Sequence, residues 1–312
     1  MARTRSLFRR RRHLRNHPPS PPAVSCKPLL PAPPRTLIAI PVYNELKHVD
    51  DVLRRVLSYH PDVLLIDDGS SDGTAEKLAA RADIRLLRHP QNRGYGQSLI
   101  DAFDYAATHH FDWVLTMDCD EQHEPEMIPA FLDLIATDRW DLISGSRYKT
   151  PREDDNNAPQ DRAAINACLT RLINSVYPCG LPPQGLTDSF CGFKAHRIAP
   201  LAALNLTETG YAFPMQLWPR VVHAGLRITE MSVRRIYVDF NRTFGGTLDQ
   251  PLRRLQHYLE VWAAEHETLF GDRFELPDPR ALLAGGVELP PRIVHSSPRA
   301  NSASSCVGCC AD

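Results

Sequence analysis

The chain has 312 residues, 43% of them hydrophobic, which is enough to bury one large core within one or two domains. Its formal net charge of −1 gives no protein-wide field that would attract nucleic acid, so we expect no nucleic-acid partner. No run approaches the roughly 18 apolar residues of a membrane span, so we expect no transmembrane segment. The cysteines show no paired CxxC pattern and follow no secretory signal, which predicts reduced thiols and a cytoplasmic protein.

Residues 1–35 differ in composition from the rest of the chain. Arginines crowd the start of this segment, prolines follow them, and no acidic residue precedes Glu45. With so little apolar surface to bury, the segment is predicted to be a disordered basic and proline-rich arm. Each basic charge could contribute about 1 kcal/mol to contact with anionic lipid. An unstructured tail without such a role explains the same composition.

From residue 36 onward, short apolar runs alternate with segments of helical spacing. The apolar runs predict strands at Leu37–Val42, Val63–Ile66, Ile84–Leu87, Trp113–Met117, Asp141–Ser144 and near Arg227–Val238. The helical spacing predicts helices at Val49–Ser58, Thr74–Arg81, Gly96–Thr108, Glu126–Ala136, Ala163–Val176 and Phe213–Ala224. The alternation is typical of an α/β fold with a mostly parallel sheet and helices on both faces. Ligands of such a fold bind outside the carboxyl ends of the strands.

The chain changes character after residue 250, so a single domain is expected over residues 36–250. Leu252, Leu255, Leu259 and Trp262 recur at helical spacing, which predicts an amphipathic helix within 251–275 that packs on the core. Residues 276–312 are predicted to be a flexible tail. Within the domain, the polar and turn-rich residues 149–160 predict a mobile loop.

Polar clusters follow three of the predicted strands, at Pro41–Glu45, Asp67–Thr74 and Asp118–His123. Parallel strands bring their carboxyl ends to one edge of the sheet, so the clusters are expected to face one crevice. Asp118 and Asp120 can reach a single hard divalent cation, and oxygen ligands suit Mg²⁺ or Mn²⁺. A solvated acidic strand end would explain these two carboxylates alone, but the other two clusters favour a site.

Four motifs, in this order, resemble the family 2 glycosyltransferases of GT-A fold. They are PVYNE at 41–45, IDDGSSDGT at 66–74, Asn92-Arg93-Gly94, and DCDEQHEPE at 118–126. The similarity is strongest to the branch that contains dolichol-phosphate mannosyltransferases and other polyprenyl-phosphate glycosyltransferases. It implies a single GT-A catalytic domain with Mg²⁺ or Mn²⁺ held by Asp118, Asp120 and Gln122. The nucleotide-sugar contacts that it implies are Pro41, Tyr43, Glu45, Ile66, Asp68, Asp118, Cys119, Asp120, Arg147 and Arg242.

The same resemblance implies four catalytic residues, namely Asp118, Asp120, Arg147 and Asp188. Asp188 begins DSFCGF and is expected either to contact the sugar or acceptor or to cap nearby backbone amides. Two positions depart from the family pattern. Gln216 stands where relatives commonly have an acid, and Leu248 replaces the lysine of an R-x-x-G-x-S-K segment. Loss of that lysine removes one cation from the expected phosphate clamp.

The resemblance implies an inverting hexosyltransferase that uses a nucleotide-sugar donor of the GDP-mannose or UDP-glucose type. The acceptor that it implies is polyprenyl or dolichyl phosphate at a membrane surface, with the protein peripheral on the cytoplasmic face. A family 2 enzyme acting on a hydroxyl acceptor in glycan synthesis is the first alternative. A non-catalytic nucleotide-sugar-binding protein is the second. A nucleotidyltransferase is disfavoured because PVYNE stands where a Gly-rich, lysine-bearing phosphate loop would follow the first strand.

Overall fold

The computed structural model describes residues 33–153, 155, 158–237, 243–273 and 275–284. The described residues from Pro34 onward form one compact unit. Most of the predicted basic arm, most of the predicted tail and Arg242 lie outside the described residues. No helix in the described ranges is both long enough and apolar enough to span a bilayer.

A seven-stranded sheet forms the centre of the described part of the chain, in the order β3-β2-β1-β4-β6-β5-β7. The strands are β1 (Thr36–Val42), β2 (Val63–Asp67), β3 (Arg85–Arg88), β4 (Trp113–Thr116), β5 (Leu142–Ser146), β6 (Lys194–Arg197) and β7 (Ile228–Ser232). Strands β1 to β4 are parallel, and so are β5 and β7. Strand β6 is antiparallel to both of its neighbours. The predicted α/β class is confirmed, and the sheet is mixed.

Strand β6 was not among the predicted strands, because its sequence, KAHR, contains two cations and no apolar run. Its first three residues are nevertheless buried, and the Lys194 ammonium donates a hydrogen bond to the carbonyl of Cys191. The register pairs Thr116 at the end of β4 with Lys194 at the start of β6. The residues that precede β6 therefore arrive at the edge of the sheet where β4 ends.

Helices cover both faces of the sheet. They are α1 (Val49–Tyr59), α2 (Thr74–Ala79), α3 (Tyr95–Thr108), α4 (Ile128–Ala136), α5 (Gln160–Val176), α6 (Ile198–Leu201), α7 (Phe213–His223), α8 (Pro251–Phe270) and α9 (Pro279–Leu283). Short 3₁₀ turns occupy Pro125–Met127, Ala202–Leu204 and Gly246–Asp249. Strand β1 contributes to two buried clusters. Leu37 belongs to the cluster that includes side chains of α3, α5, α7 and α8, and Ile38 belongs to the cluster that includes side chains of α1 and α4. The six helices predicted between the strands are confirmed with small shifts at their ends.

The C-terminal helix α8 packs on the core as predicted, but through a different set of side chains. Leu255, Leu259 and Trp262 are buried, whereas Leu252 is 39% exposed. Arg254 and Tyr258 are buried as well, at 2% and 3% exposure, so the buried stripe is partly polar. Helix α9 lies within the segment predicted to be a flexible tail, and its Leu282 belongs to the core. An isolated pair of leucines in α9 is too short a pattern to signal a packed helix.

Candidate functional site

A cleft lies where β1, β2, β4 and β5 end. Its volume is about 540 Å³, within the range of about 300–1,000 Å³ that ligand pockets occupy. All three polar clusters that follow the strands contribute to its wall. The predicted site residues that line it are Pro41, Tyr43, Glu45, Asp68, Asp118, Cys119, Asp120, Gln122 and Arg147.

The wall after β2 is organised around the carboxylate of Asp68, which is 4% exposed. Its oxygens accept hydrogen bonds from the backbone N–H groups of Arg93, at 2.7 Å, and Gly94, at 2.9 Å. Gly94 has a φ of 104°, and a Cβ there would lie 2.3 Å from the carbonyl oxygen of Thr209. Only glycine fits this position, which explains the Asn-Arg-Gly motif. Asp68 therefore fixes the turn that leads into α3.

The loop after β4 presents Asp118 and Asp120, and neighbouring groups hold it in place. The backbone N–H of Asp118 donates to Nδ1 of His123 across 2.9 Å. Burial lowers the pKa of His123 to about 4, so its ring is neutral near pH 7 and Nδ1 can accept. The Tyr95 hydroxyl donates to Oδ1 of Asp118 across 3.2 Å. A Cβ on Gly192 would lie 2.8 Å from Oδ2 of the same carboxylate, so a larger residue there would displace the side chain of Asp118.

The side chains of this loop fit a small divalent cation. Two carboxylates and an amide oxygen are hard ligands, and Mg²⁺ in proteins is commonly bound by one or two carboxylates together with substrate phosphates. Among the described residues, no cluster of three or more His, Cys, Asp or Glu side chains is arranged as a metal site. If such a cation binds, Asp118, Asp120 and Gln122 would be the side chains that hold it.

Arg147 follows β5 and lines the cleft, and Asp188 lies behind it. The guanidinium group donates to both oxygens of Asp188, from Nε at 2.6 Å and from Nη2 at 2.9 Å. Burial alone would raise the pKa of Asp188, but the charge and hydrogen bonds of Arg147, together with the charge of Lys194, outweigh burial and hold that pKa below its usual value. This bidentate pair fixes the orientation of Arg147.

The structure places Asp188 behind the cleft wall, so its expected contact with a ligand stays a prediction. The carboxylate is fully buried and does not line the cleft. Besides the side chain of Arg147, it accepts hydrogen bonds from Asn166 Nδ2 and from the backbone N–H groups of Arg147, Phe190 and Cys191. With its oxygens used in this way, Asp188 positions Arg147 and caps local amides, which was the other expectation for this residue.

Helices α5 and α8, with the residues before α7 and α8, form the rest of the cleft wall, which we call the helical wall. The ring of Tyr211 is stacked on Tyr95 at 6.0 Å and meets the edge of Phe244 at 5.2 Å. The guanidinium groups of Arg162 and Arg254 lie 4.8 and 4.4 Å from the centre of the Phe244 ring. The helical wall is thus aromatic with associated arginines.

The sequence of this α/β domain matches a protein-family model described as glycosyl transferase family 2 over residues 37–196, slightly more than half of the chain. The chain belongs to glycosyl transferase family 2. The predicted family and its GT-A fold are confirmed, and the protein is a glycosyltransferase.

Three relatives are similar over most of their own length. The undecaprenyl-phosphate mannosyltransferase of Micrococcus luteus is 32% identical over 208 residues, covering 64% of this chain and 82% of the relative. The polyprenol monophosphomannose synthase of Mycolicibacterium smegmatis is 31% identical, covering 64% and 76%. The UDP-N-acetylglucosamine–dolichyl-phosphate N-acetylglucosaminyltransferase of Methanococcus voltae is 25% identical, covering 67% and 88%.

The two departures from the family pattern lie in different surroundings. Gln216 is 2% exposed and does not line the cleft of this glycosyltransferase. Its Oε1 accepts from the backbone N–H groups of Thr207 and Glu208, and its Nε2 donates to Glu265. Gln216 therefore connects the loop before α7 to helix α8.

Leu248 lies in the 3₁₀ turn before α8, where its carbonyl oxygen accepts a hydrogen bond from Arg254 Nη1 at 2.7 Å.

One further predicted contact is absent from the cleft. The side chain of Ile66 is fully buried in the core, on the strand between Leu65 and Asp67. Because side chains alternate along a strand, a residue within β2 cannot be assigned to the cleft from its motif alone. The prediction for Arg242 falls outside the described residues.

Sequence reasoning missed several residues that line the cleft. They are Tyr95, Arg162, Phe190, Arg254 and Tyr258. Tyr95 directly follows the Asn-Arg-Gly motif, and this position next to a recognised motif could have indicated that it lines the cleft. Arg162 and Arg254 lie on helices, and nothing in their local pattern distinguishes them from arginines on a solvated face.

Proposed function

We propose that this glycosyltransferase moves a hexose from a nucleotide-diphosphate sugar to polyprenyl phosphate. The observation that carries the proposal is the distribution of charge around the cleft. The carboxylates among its described lining residues are Glu45, Asp68, Asp118 and Asp120, all of which follow strands. The described part of the helical wall has arginines and aromatic rings, with no carboxylate and no histidine lining the cleft.

The absence of a base among the described lining residues of the helical wall favours a phosphate acceptor. A hydroxyl acceptor must lose a proton during transfer and benefits from a general base, whereas a phosphate monoester is already ionised. Arginine is well suited to phosphate, and Arg162 is partly exposed at this wall. The printed names of the three relatives refer to undecaprenyl phosphate, polyprenol and dolichyl phosphate, which supports the same acceptor class.

The donor would occupy the strand-end part of the cleft. Tyr43 is 47% exposed and offers a ring for base stacking, and Asp68 offers carboxylate oxygens near it. Asp118, Asp120 and Gln122 would hold Mg²⁺ or Mn²⁺, which supplies positive charge for the departing diphosphate when it is bound. Arg147, fixed by Asp188, supplies a second positive charge at the same part of the cleft.

In the proposed reaction, an oxygen of the acceptor phosphate forms a bond to the anomeric carbon. The bond from that carbon to the donor's diphosphate oxygen breaks, and the nucleoside diphosphate leaves with the electron pair. In-line attack inverts the anomeric configuration. No proton has to be removed from the acceptor. The protein therefore has to position the acceptor phosphate and the donor diphosphate and to balance their negative charge.

A lipid acceptor also requires access to a membrane surface. Leu252 is 39% exposed at the start of α8, directly after the 3₁₀ turn that follows the cleft residues Thr243, Phe244 and Gly245. Arg253 next to it is exposed. A leucine and an arginine at this end of the cleft suit contact with a lipid headgroup region. We propose that the protein is peripheral on the cytoplasmic face of a membrane.

The test is a donor screen in which radiolabelled GDP-mannose, UDP-glucose and UDP-N-acetylglucosamine are offered with Mn²⁺ and undecaprenyl phosphate. We expect one donor to give label that partitions into organic solvent and has the inverted anomeric configuration by NMR. Asp120→Ala should abolish transfer, whereas Asp133→Ala, on the exposed side of α4, should not. Label confined to water-soluble product would contradict a polyprenyl-phosphate acceptor. No transfer from any donor would contradict the enzyme assignment itself.

A further inference from the structure

His89 follows β3 and lies between two carboxylates. Its ring is 3% exposed, with Nδ1 2.6 Å from Oδ1 of Asp68 and Nε2 2.8 Å from Oδ2 of Asp101. Its backbone N–H also donates to the carbonyl oxygen of Asp67 across 2.8 Å. The ring therefore joins the end of β2 to helix α3 through both of its nitrogens.

Both carboxylates already accept hydrogen bonds from other donors. Asp68 accepts from the N–H groups of Arg93 and Gly94. Asp101 accepts from Gln97 Nε2 at 2.9 Å and from Arg93 Nη1 at 3.2 Å. Each carboxylate is therefore held by several partners at once, and the ring of His89 connects the two sets of contacts.

We propose that His89 positions Asp68 and thereby the nucleotide-binding wall of the cleft. Asp68 lines the cleft, and the turn that it holds places Asn92, Gly94 and Tyr95 along the same wall. This role of His89 rests on the proposed function, because it requires that a nucleotide occupies this wall. His89 itself does not line the cleft, so it acts through Asp68 as a positioning residue.

The surroundings of His89 explain why its contacts matter. The groups around its ring are Asp67 at the end of β2 and Asp68 after it, Asp101 from α3, and the neighbouring Arg88 and Arg93. Asp68 is buried, and a buried carboxylate that loses a hydrogen-bond partner is costly. Without the ring of His89, Asp68 would lose part of its fixed geometry, and nucleotide binding would weaken.

The first experiment measures nucleotide affinity by calorimetry for the wild type and for His89→Gln, with GDP and UDP in the presence of Mn²⁺. We expect binding by H89Q to be about tenfold weaker, the loss that follows from one hydrogen bond to a charged group. With the full reaction, the donor KM should rise while kcat changes little. His196→Gln is the matched control, because His196 is equally buried in β6 but has no contact with the cleft.

The second experiment uses Asp101→Asn, on the more exposed partner of His89, to weaken the contact at Nε2 without removing the ring. We expect nucleotide affinity in D101N to fall, but by less than in H89Q, because the contact between His89 and Asp68 remains. Unchanged affinity in D101N would show that this contact does not help to position Asp68. The variant also serves if H89Q does not fold.

The outcomes distinguish this inference from the proposed function. If the wild type binds a nucleotide while H89Q binds it equally well, the proposed role of His89 is wrong and the proposed function stands. If the wild type binds neither nucleotide, the proposed function fails first. If H196Q weakens binding as much as H89Q, general destabilisation explains the effect and the positioning role is rejected.

Discussion

Tyr95 donates its hydroxyl hydrogen to Oδ1 of Asp118, so the first residue of α3 contacts the first carboxylate of the predicted metal site. Burial, followed by the charge of Asp118, raises the pKa of Tyr95 well above its usual value. The phenol is therefore protonated, and able to donate, near pH 7. The contact joins the Asn-Arg-Gly turn to the loop after β4.

We expect Tyr95→Phe to weaken Mn²⁺ binding about tenfold, because a hydrogen bond to a charged group contributes about 1.5–3 kcal/mol. Electron paramagnetic resonance titration of Mn²⁺ measures this without turnover. Tyr105→Phe on the same helix is the control, since its ring is stacked on His109 outside the cleft. Equal Mn²⁺ affinity in the wild type and Y95F would show that Asp118 does not need this donor.

Asp188→Asn should reduce both stability and activity, because it leaves Arg147 without its counter-charge at a buried position. Breaking one side of a buried ion pair costs about 3 kcal/mol or more. Misplacement of Arg147 should lower kcat/KM about a hundredfold. Denaturant unfolding and steady-state kinetics measure the two effects. Asp83→Asn breaks an exposed pair with Arg81 and should change neither. A stable D188N variant with normal kcat/KM would refute the positioning role.

Arg162→Gln should raise the KM for undecaprenyl phosphate about tenfold, since it removes a charged donor from the helical wall. The donor KM should stay near its wild-type value. Arg171→Gln, at an exposed position of the same helix, is the matched control. A rise in donor KM without a change in acceptor KM would assign Arg162 to the donor instead.

Gln216→Glu, which restores the acid common among relatives, should destabilise the protein and give no gain in activity. The amide of Gln216 donates to Glu265, so a carboxylate there would face a second carboxylate while buried. We expect a loss of about 1–3 kcal/mol in unfolding free energy near pH 7. The new carboxyl group should be easier to bury when protonated, so the loss should shrink as pH falls. Increased kcat in Q216E would instead indicate that residue 216 acts in transfer.

Asp141 should contribute to the acid sensitivity of folding. The hydrogen bond from Arg227, which joins the start of β5 to the residue before β7, lowers the pKa of Asp141 below its usual value. A carboxyl group with a depressed folded-state pKa stabilises the fold above its unfolded pKa and loses that contribution as pH falls through the folded value. Asp141→Asn should therefore flatten the acid limb of a plot of unfolding free energy against pH. An unchanged limb would mean that other carboxylates account for it.

The strand ends were predictable because apolar runs followed by polar clusters mark them directly. Asp118 and Asp68 reach the cleft for this reason. The contacts that connect these ends were not predictable, because they join residues distant in sequence. Arg147 and Asp188 are 41 residues apart, and neither local pattern indicates their pairing. The prediction that Leu252 packs on the core was wrong for a related reason. Helical spacing predicts which face of a helix is buried, but it does not show where along the helix the core ends.

Strand β6 determines how the two charged parts of the site are spaced. Lys194 of β6 is paired with Thr116 of β4 on one side and with Ser144 of β5 on the other. The loop after β4 and Arg147 after β5 therefore both follow strands that are in register with the same residue. A slip of one residue in this strand would turn each of its side chains to the opposite face and shift both loops relative to each other. An insertion in β4, β5 or β6 should therefore change the distance between Arg147 and the proposed cation ligands Asp118 and Asp120.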